Sequence, residues 1–330
     1  MKRIQLHMTK GINVLSLCDG ISCAHIALDR AGIQVDNYFA SEIKDIAIKV
    51  TQDNYPDTIQ IGDVNKVTYK DGILSNGVES WEVAFDLVCF GSPCQSFSIA
   101  MKTKGRVGLE DKVRSGLYFE CKRVLDEVNP KYFFVENVGS MKEADVEFLS
   151  TSLGVQPIRI NSKLVTPAMR DRYYWTNIGY TPIEKKDICL QDILEYGYTQ
   201  REKARALMRS GGGIHGYQDY IKLYRRVEEK GFSNLVYSSK EAYEQCKNIY
   251  DTYFKKKKIK ELEKIEEEHP EFQSIFRDSI RYLSQIEQER CQTLPEGYTK
   301  SLEWLDAQDV IGDGWTIDVI VAFFQNIVQP

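Results

Sequence analysis

Much is missing from this 330-residue chain, and each absence narrows what it does. No apolar run reaches the roughly 20 residues of a membrane-spanning helix, and Met1-Lys2-Arg3 leads into no apolar signal core, so a cytoplasmic protein is expected. The eight cysteines (18, 23, 89, 94, 121, 189, 246 and 291) include no Cys-x-x-Cys pair, which with no export signal argues against a disulfide framework. The four histidines (7, 25, 215 and 269) show no ligand spacing, so no metal is expected. No Gly-x-Gly-x-x-Gly fingerprint is present, which argues against NAD or FAD. The formal net charge of −5 gives no sign of a nucleic-acid binder. Locally the balance reverses: residues 201–260 hold 15 Lys or Arg against 7 Asp or Glu, interleaved with tyrosines, a composition able to track phosphates. Lys255 to Lys258 followed by Glu261 to Glu268 reads instead as a long, solvated charged helix.

The first 180 residues alternate strand and helix patterns, the signature of an α/β fold with a doubly wound, mostly parallel sheet. Ile12 to Leu17 reads as a strand, followed by a Cys18-Asp19-Gly20-Ile21-Ser22 turn and a helix through Ala31. Asn37 to Ser41 is the next strand, ending at Glu42, and residues 58–64 form a third, ending at Asp63-Val64. Glu42 lies 22 positions beyond Gly20, near the interval at which an acid grips ribose hydroxyls in nucleoside-binding folds. A glycine turn with a downstream acid is nevertheless common to doubly wound domains.

Two further apolar runs carry the chemistry. One, from Asp86 to Phe90, enters Pro93-Cys94-Gln95; the other, Tyr132 to Val135, delivers Glu136-Asn137-Val138. A thiol and a carboxyl at the ends of two such strands make one reactive site at one edge of a sheet. A pyrimidine ring is electron-poor at C6, where a thiolate can add and make C5 nucleophilic. The addition needs an acid that holds or protonates N3. Cys94 is the candidate nucleophile and Glu136 the candidate acid. A Pro-Cys dipeptide on its own would more simply be a buried, inert cysteine.

The motifs then line up with a known family. Gly91-Ser92-Pro93-Cys94-Gln95-Ser96-Phe97-Ser98, Phe134-Val135-Glu136-Asn137-Val138 and Pro167-Ala168-Met169-Arg170-Asp171-Arg172-Tyr173-Tyr174-Trp175 appear in order. Arg281-Tyr282-Leu283-Ser284, Leu294 to Thr299 and Gly312-Asp313-Gly314-Trp315-Thr316 follow. In these blocks the chain resembles the cytosine-C5 DNA methyltransferases, and only about residues 180–280 lack a counterpart, as a variable target-recognition region would.

The resemblance implies a class I, Rossmann-like methyltransferase fold, S-adenosylmethionine as cofactor and double-stranded DNA as partner. It assigns Cys94, Glu136 and Arg172 to catalysis, with Pro93 stiffening the nucleophile's turn and Asn137 ordering the acid's loop. Arg172 would meet the cytosine O2 and a phosphate, with Arg170 supporting the pocket. Asp19, Gly20 and Ile21 would line the methionyl end of the cofactor, Glu42 its ribose and Asp63 its adenine amino group. Ile43 and Val64 would flank the ring, and Leu117 would offer backbone. Asp313 stands where the family commonly has Asn beside the methionine carboxylate, and Cys18 where it usually has Phe. Gln95, Ser96, Ser98, Lys104 and Arg106 belong to a polar, glycine-hinged loop that would close over DNA once the target base has flipped out.

The expected layout is a catalytic domain over 1–180 completed by 301–330, with a smaller target-recognition domain over 181–300. Monomeric action is expected, with a cognate restriction endonuclease as a possible companion in restriction-modification. Two rival readings remain open: a cytosine-C5 transfer-RNA methyltransferase, though its Cys-Phe-Thr signature is absent, and an inactive DNA-binding regulator.

Overall fold

The computed structural model describes residues 2–4, 10–92, 116–205, 207, 219–230, 234–257 and 259–329. The chain divides into two compact units. One comprises Met1–Ser162, Asp171–Lys185 and Gly314–Pro330; the other comprises Lys163–Arg170 and Lys186–Asp313.

In chain order the first unit runs β1 (Lys2–Ile4), β2 (Ile12–Leu17), α1 (Cys23–Arg30), β3 (Val35–Ser41), α2 (Asp45–Asn54) and β4 (Ile59–Gln60). Next come β5 (Thr68–Lys70), β6 (Ile73–Ser75), β7 (Glu79–Glu82), β8 (Leu87–Gly91), α3 (Gly116–Val128), β9 (Tyr132–Val138) and α4 (Glu143–Leu153). β10 (Ile158–Asn161) and β11 (Asp171–Thr176) follow. Seven strands make the central sheet in the order β10-β11-β9-β8-β2-β3-β4. Pairing is parallel from β9 through β4 and antiparallel at β9–β11 and β10–β11. The sheet is therefore mostly parallel, as the alternating pattern predicts. Strands β1, β7, β6 and β5 form a separate small sheet.

Side-chain alternation along β9 explains how both faces are covered. Phe134, fully buried, meets Tyr174 of the neighbouring β11 and Trp315, Phe323 and Phe324 at centroid separations of 5.2–5.6 Å. The two phenylalanines belong to a helix, Ile317–Phe324, that returns after the second unit. Val135 and Trp175 pair in register and point to the opposite face, where the Trp175 Nε1–H donates to Ser150 Oγ of α4 at 3.0 Å. On that second face Val124, Leu125, Leu149, Phe39 and Trp81 join one core cluster.

The second unit is more ordered than its sequence suggests. It contains α5 (Tyr220–Lys230), β12 (Leu235–Tyr237), α6 (Lys240–Ile249), α7 (Ile259–Glu268), α8 (Glu271–Ser279), β13 (Ile280–Tyr282), α9 (Gln285–Cys291) and α10 (Trp304–Asp313), after which α11 is the returning helix. Tyr224, Phe254, Phe272 and Phe276 build its own core. The expected long charged helix is broken. A π turn at Tyr250–Phe254 buries two aromatic rings, and Lys256 adopts φ 61° before α7 begins. Lys257–Glu261 (3.6 Å) and Lys264–Glu268 (3.5 Å) then pair on exposed surface, and Leu262 is buried in the unit's own core.

Two other boundaries move. The strand expected over 58–64 is only Ile59–Gln60, because Gly62 turns the chain at φ 77° and Asp63 starts a single 3-10 turn. The return to the first unit begins at Gly314 rather than near 301: the α9 segment and α10 pack on each other within the second unit.

Phe134 joins the acid's strand to α11, so its removal should be felt by the whole unit. Phe134→Ala is expected to cost about 3–5 kcal/mol of folding stability. Chemical denaturation checks this, and a loss under 1 kcal/mol would contradict the packing described.

Candidate active site

Strand order reverses between β2 and β8. From β2 the chain steps outward to β3 and β4; from β8 it steps the other way to β9. Open parallel sheets bind ligands at such a switch point, beyond the carboxyl ends of the strands. The Asp19-Gly20 turn, Glu42, Asp63, Gly91 and Glu136 all lie at that edge, each at or just after the end of a strand.

On the acid's side, Gly91 of β8 sits opposite Glu136 of β9. The Glu136 carboxylate is 7% exposed and its Oε1 lies 2.6 Å from Arg172 Nε, an ion pair across β9 and β11. That contact is close but not aligned as a hydrogen bond. Arg172 also donates from Nη1 to the Asp171 carbonyl at 2.9 Å. Asp171 itself pairs with Arg159 at 2.5 Å.

Gly91 is a glycine because nothing larger fits. A Cβ there would stand 2.9 Å from Trp315 Nε1 and 3.2 Å from Glu136 Oε2. Asn137, 1% exposed, donates from Nδ2 to Ser92 Oγ at 3.2 Å while its Oδ1 accepts the Val138 N–H. It therefore ties the exit of β8 to the end of β9, immediately before Pro93-Cys94. Ser92 was missed in the sequence; it carries no chemistry of its own, and only the pairing register reveals it. Cys94 with Pro93, Gln95, Ser96, Ser98, Lys104 and Arg106 lie outside the described residues.

At the β2 end, Cys18, Gly20 and Ser22 all have positive φ (52°, 63° and 54°), while Asp19 and Ile21 do not. Such alternation curls backbone N–H groups toward one side, a concavity suited to anions. The Gly20 N–H donates to Glu42 Oε2 at 2.8 Å, and the Ile43 and Lys44 N–H groups donate to Glu42 Oε1 at 2.8 and 2.9 Å. Backbone thus orients Glu42, and a carboxylate with about four acceptor sites keeps capacity for hydroxyl donors. Asp63 Oδ1 takes both the N–H (3.0 Å) and the side-chain amide (2.7 Å) of Asn65. Ile43, 70% exposed, leaves an apolar side chain beside these acids. Carboxylates able to accept from hydroxyl and amino groups beside an apolar side chain are an acceptor set that fits a nucleoside.

Asp19 differs from Glu42. Its two oxygens accept the Ser22 hydroxyl (2.5 Å) and the Tyr38 hydroxyl (2.7 Å). Burial pushes its carboxyl above the usual range, the hydroxyls oppose that, and the Glu42 charge adds to it. Burial also pushes the Cys89 and Cys291 thiols up to about 12, which leaves them protonated and inert.

Several expected site residues are placed elsewhere. Ile21 is fully buried, and Val64, 3% exposed, belongs to the main core, so both side chains point inward. Leu117 packs partly against that core. Arg170 lies in the second unit, where its Nη1 and Nη2 meet the carbonyls of Gly312 (2.9 Å) and Asp313 (3.4 Å). It closes the C-terminus of α10, where a cation is favoured. Asp313 ends that helix in the same unit.

Comparison with known proteins now bears on this geometry. Residues 12–152 match the family model described as C-5 cytosine-specific DNA methylase. That stretch belongs to the C-5 cytosine-specific DNA methylases. The methylase domain so defined contains the Gly20 turn, Glu42, Asp63, Gly91, Cys94 and Glu136. The type II methyltransferase M.NgoBV of Neisseria gonorrhoeae is 32% identical over 147 residues, 43% of this chain and 31% of that protein. The orphan methyltransferase M.SPRI of Bacillus phage SPR is 30% identical over 202 residues, 56% of this chain and 43% of that one. The chain thus spans less than half the length of these relatives. In fold, the DNMT2 of Spodoptera frugiperda superposes with a TM-score of 0.61 at 17% identity, covering 94% of this chain and 98% of its own. Arg172 lies beyond the matched stretch, and in the structure its pairing with Glu136 ties it to the site.

Two predictions follow from this geometry. Gly91→Ala should lower turnover at least tenfold with little loss of thermal stability, as the methyl pushes on Trp315 and the acid; unchanged kinetics would mean the crowding is relieved. His25 is the second. It stacks between Tyr55 (3.8 Å) and Tyr38 (4.5 Å), and burial holds its imidazole down at about 4, against an ordinary 6.5, with Asp29 pulling the other way. The unfolded chain takes up this proton below about pH 6.5 and the folded chain only near 4, so stability is lost as pH falls through that window. His25→Phe keeps the stack and should flatten the fall of Tm between those limits. Parallel pH profiles for the two proteins would rule this contribution out.

Proposed function

We propose that this protein transfers a methyl group from S-adenosylmethionine to C5 of a cytosine flipped out of double-stranded DNA, at one short target sequence. The observation that carries the reading is the register of β8 with β9, which sets Glu136 beside the segment that continues to Cys94, with Asn137 tied to Ser92. The methylase-domain match and the names of the relatives support it.

When bound, the cofactor supplies an electrophilic methyl group on sulfur. Glu42 and Asp63 would accept from its ribose and adenine, and the Asp19-Gly20 turn would meet the methionyl end. The Cys94 thiolate adds to C6 of the flipped base, and Glu136 holds the proton at N3 as charge develops. Arg172 keeps the Glu136 side chain in place and offers donors to the base O2. After C5 has gained the methyl group, loss of the C5 proton to a base and departure of Cys94 restore the ring. Flipping costs a few kcal/mol of unpairing and unstacking, and the polar loop carrying Lys104 and Arg106 would contribute phosphate contacts that offset it. The second unit, with its basic stretch, would choose the target sequence.

The test is transfer of labelled methyl groups to unmethylated DNA and to transfer RNA, with the products mapped at base resolution. Methylated cytosines in one short DNA context are expected. Label on RNA alone would move the substrate to transfer RNA, and none on either would leave a DNA-binding regulator. Cys94→Ala should abolish transfer and Glu136→Gln should lower it by about 10²–10⁴. Normal rates in either variant would sink the mechanism.

A further inference from the structure

Position 18, at the head of the Gly20 turn, carries a cysteine, and the structure shows what it meets. Cys18 Sγ lies 3.9 Å from Cys121 Sγ, across 103 residues of sequence. Cys18 is half-buried at the carboxyl end of β2; Cys121 is fully buried on α3. These two thiols are hydrogen-bonding neighbours.

We propose that Cys18 and Cys121 form an oxidisable dithiol that peroxides convert to a disulfide linking the cofactor turn to α3. Cys18 is the sulfur that peroxide reaches. Its thiolate attacks the peroxide oxygen, giving a sulfenic acid and releasing hydroxide, or water once protonated. The Cys121 sulfur then displaces the sulfenic oxygen as water and loses its proton, forming the S–S bond. In sum two thiols and one hydrogen peroxide give one disulfide and two waters, and the peroxide is the electron acceptor.

The buried Cys121 thiol is held well above the usual cysteine range, first by its bond to Cys18 and then by burial, so it remains the protonated, resolving partner. A disulfide needs the sulfurs about 2.04 Å apart, so the pair must close by nearly half its present separation. Cys18 precedes Asp19 and Gly20 in the turn, so any shift of its backbone reaches them first. Closing the bond therefore draws that turn toward α3 and disturbs the Gly20 N–H contact with Glu42. Formation of the dithiol stands apart from the methyl-transfer reading. Its effect on S-adenosylmethionine affinity rests on that reading.

The experiment treats the full-length protein with hydrogen peroxide, alkylates remaining thiols and maps peptides by mass. A Cys18–Cys121 linked peptide, two hydrogens lighter than its parts and released by dithiothreitol, is expected. It should vanish in Cys18→Ser and in Cys121→Ser. Over-oxidised Cys18 without a link, or a link from Cys18 to another cysteine, overturns the proposal. Calorimetry with S-adenosylmethionine on reduced and oxidised protein reads the consequence, expected as about a tenfold loss of affinity. Equal affinity in the two forms overturns the coupling to the turn. A linked peptide with no cofactor binding even when reduced upholds the dithiol and counts against the methyl-transfer reading.

Discussion

Three strands held side by side set the positions of everything else at the active edge. Parallel pairing of β8 with β9 sets Gly91 against Glu136, and antiparallel pairing of β9 with β11 sets Glu136 against Tyr174, with Arg172 two residues earlier. Because side chains alternate, a slip of one residue in either pairing would turn Glu136 into the apolar face that Val135 and Trp175 share. Both flanking faces are densely aromatic, so such a slip would bury a charge and expose large rings. Register here is enforced by packing on both faces, and the acid inherits its position from that.

The Glu136–Arg172 pair sits where water is scarce, with side-chain exposures of 9% and 15%. Buried pairs of this kind add little net stability, since desolvation offsets attraction, but losing one partner strands the other. Their value is positional. The Asn137–Ser92 bond acts in the same way on the other strand.

Legibility in the sequence followed periodicity. The strand Ile12–Leu17 stands where it is read, and the apolar run Tyr132–Val135 opens a strand that continues through Val138. The position of Glu136 near the end of its strand was legible because an apolar run leads straight into the carboxylate. Less legible was whatever depends on a local backbone twist. Gly62 cuts short the strand expected through Val64, and the π turn at Tyr250–Phe254 interrupts what reads as one charged helix. Val64 and Ile21 illustrate a second limit, since an apolar residue next to a site reads the same whether it faces a ligand or the core. Arg170 illustrates a third. Nothing in its neighbours announces that its guanidinium closes α10, more than 140 residues away.

The helix α11 has a bearing on how the chain is born. It supplies Phe323 and Phe324 to Phe134 and follows the whole second unit in sequence. While a ribosome is still making residues 186–313, the acid's strand already exists, but one side of it lies uncovered, with Phe134 and Tyr174 bare. Domains usually fold as units during synthesis; this one must wait for its last stretch. The nascent chain therefore carries an unfinished aromatic surface for the time taken to add more than 120 residues.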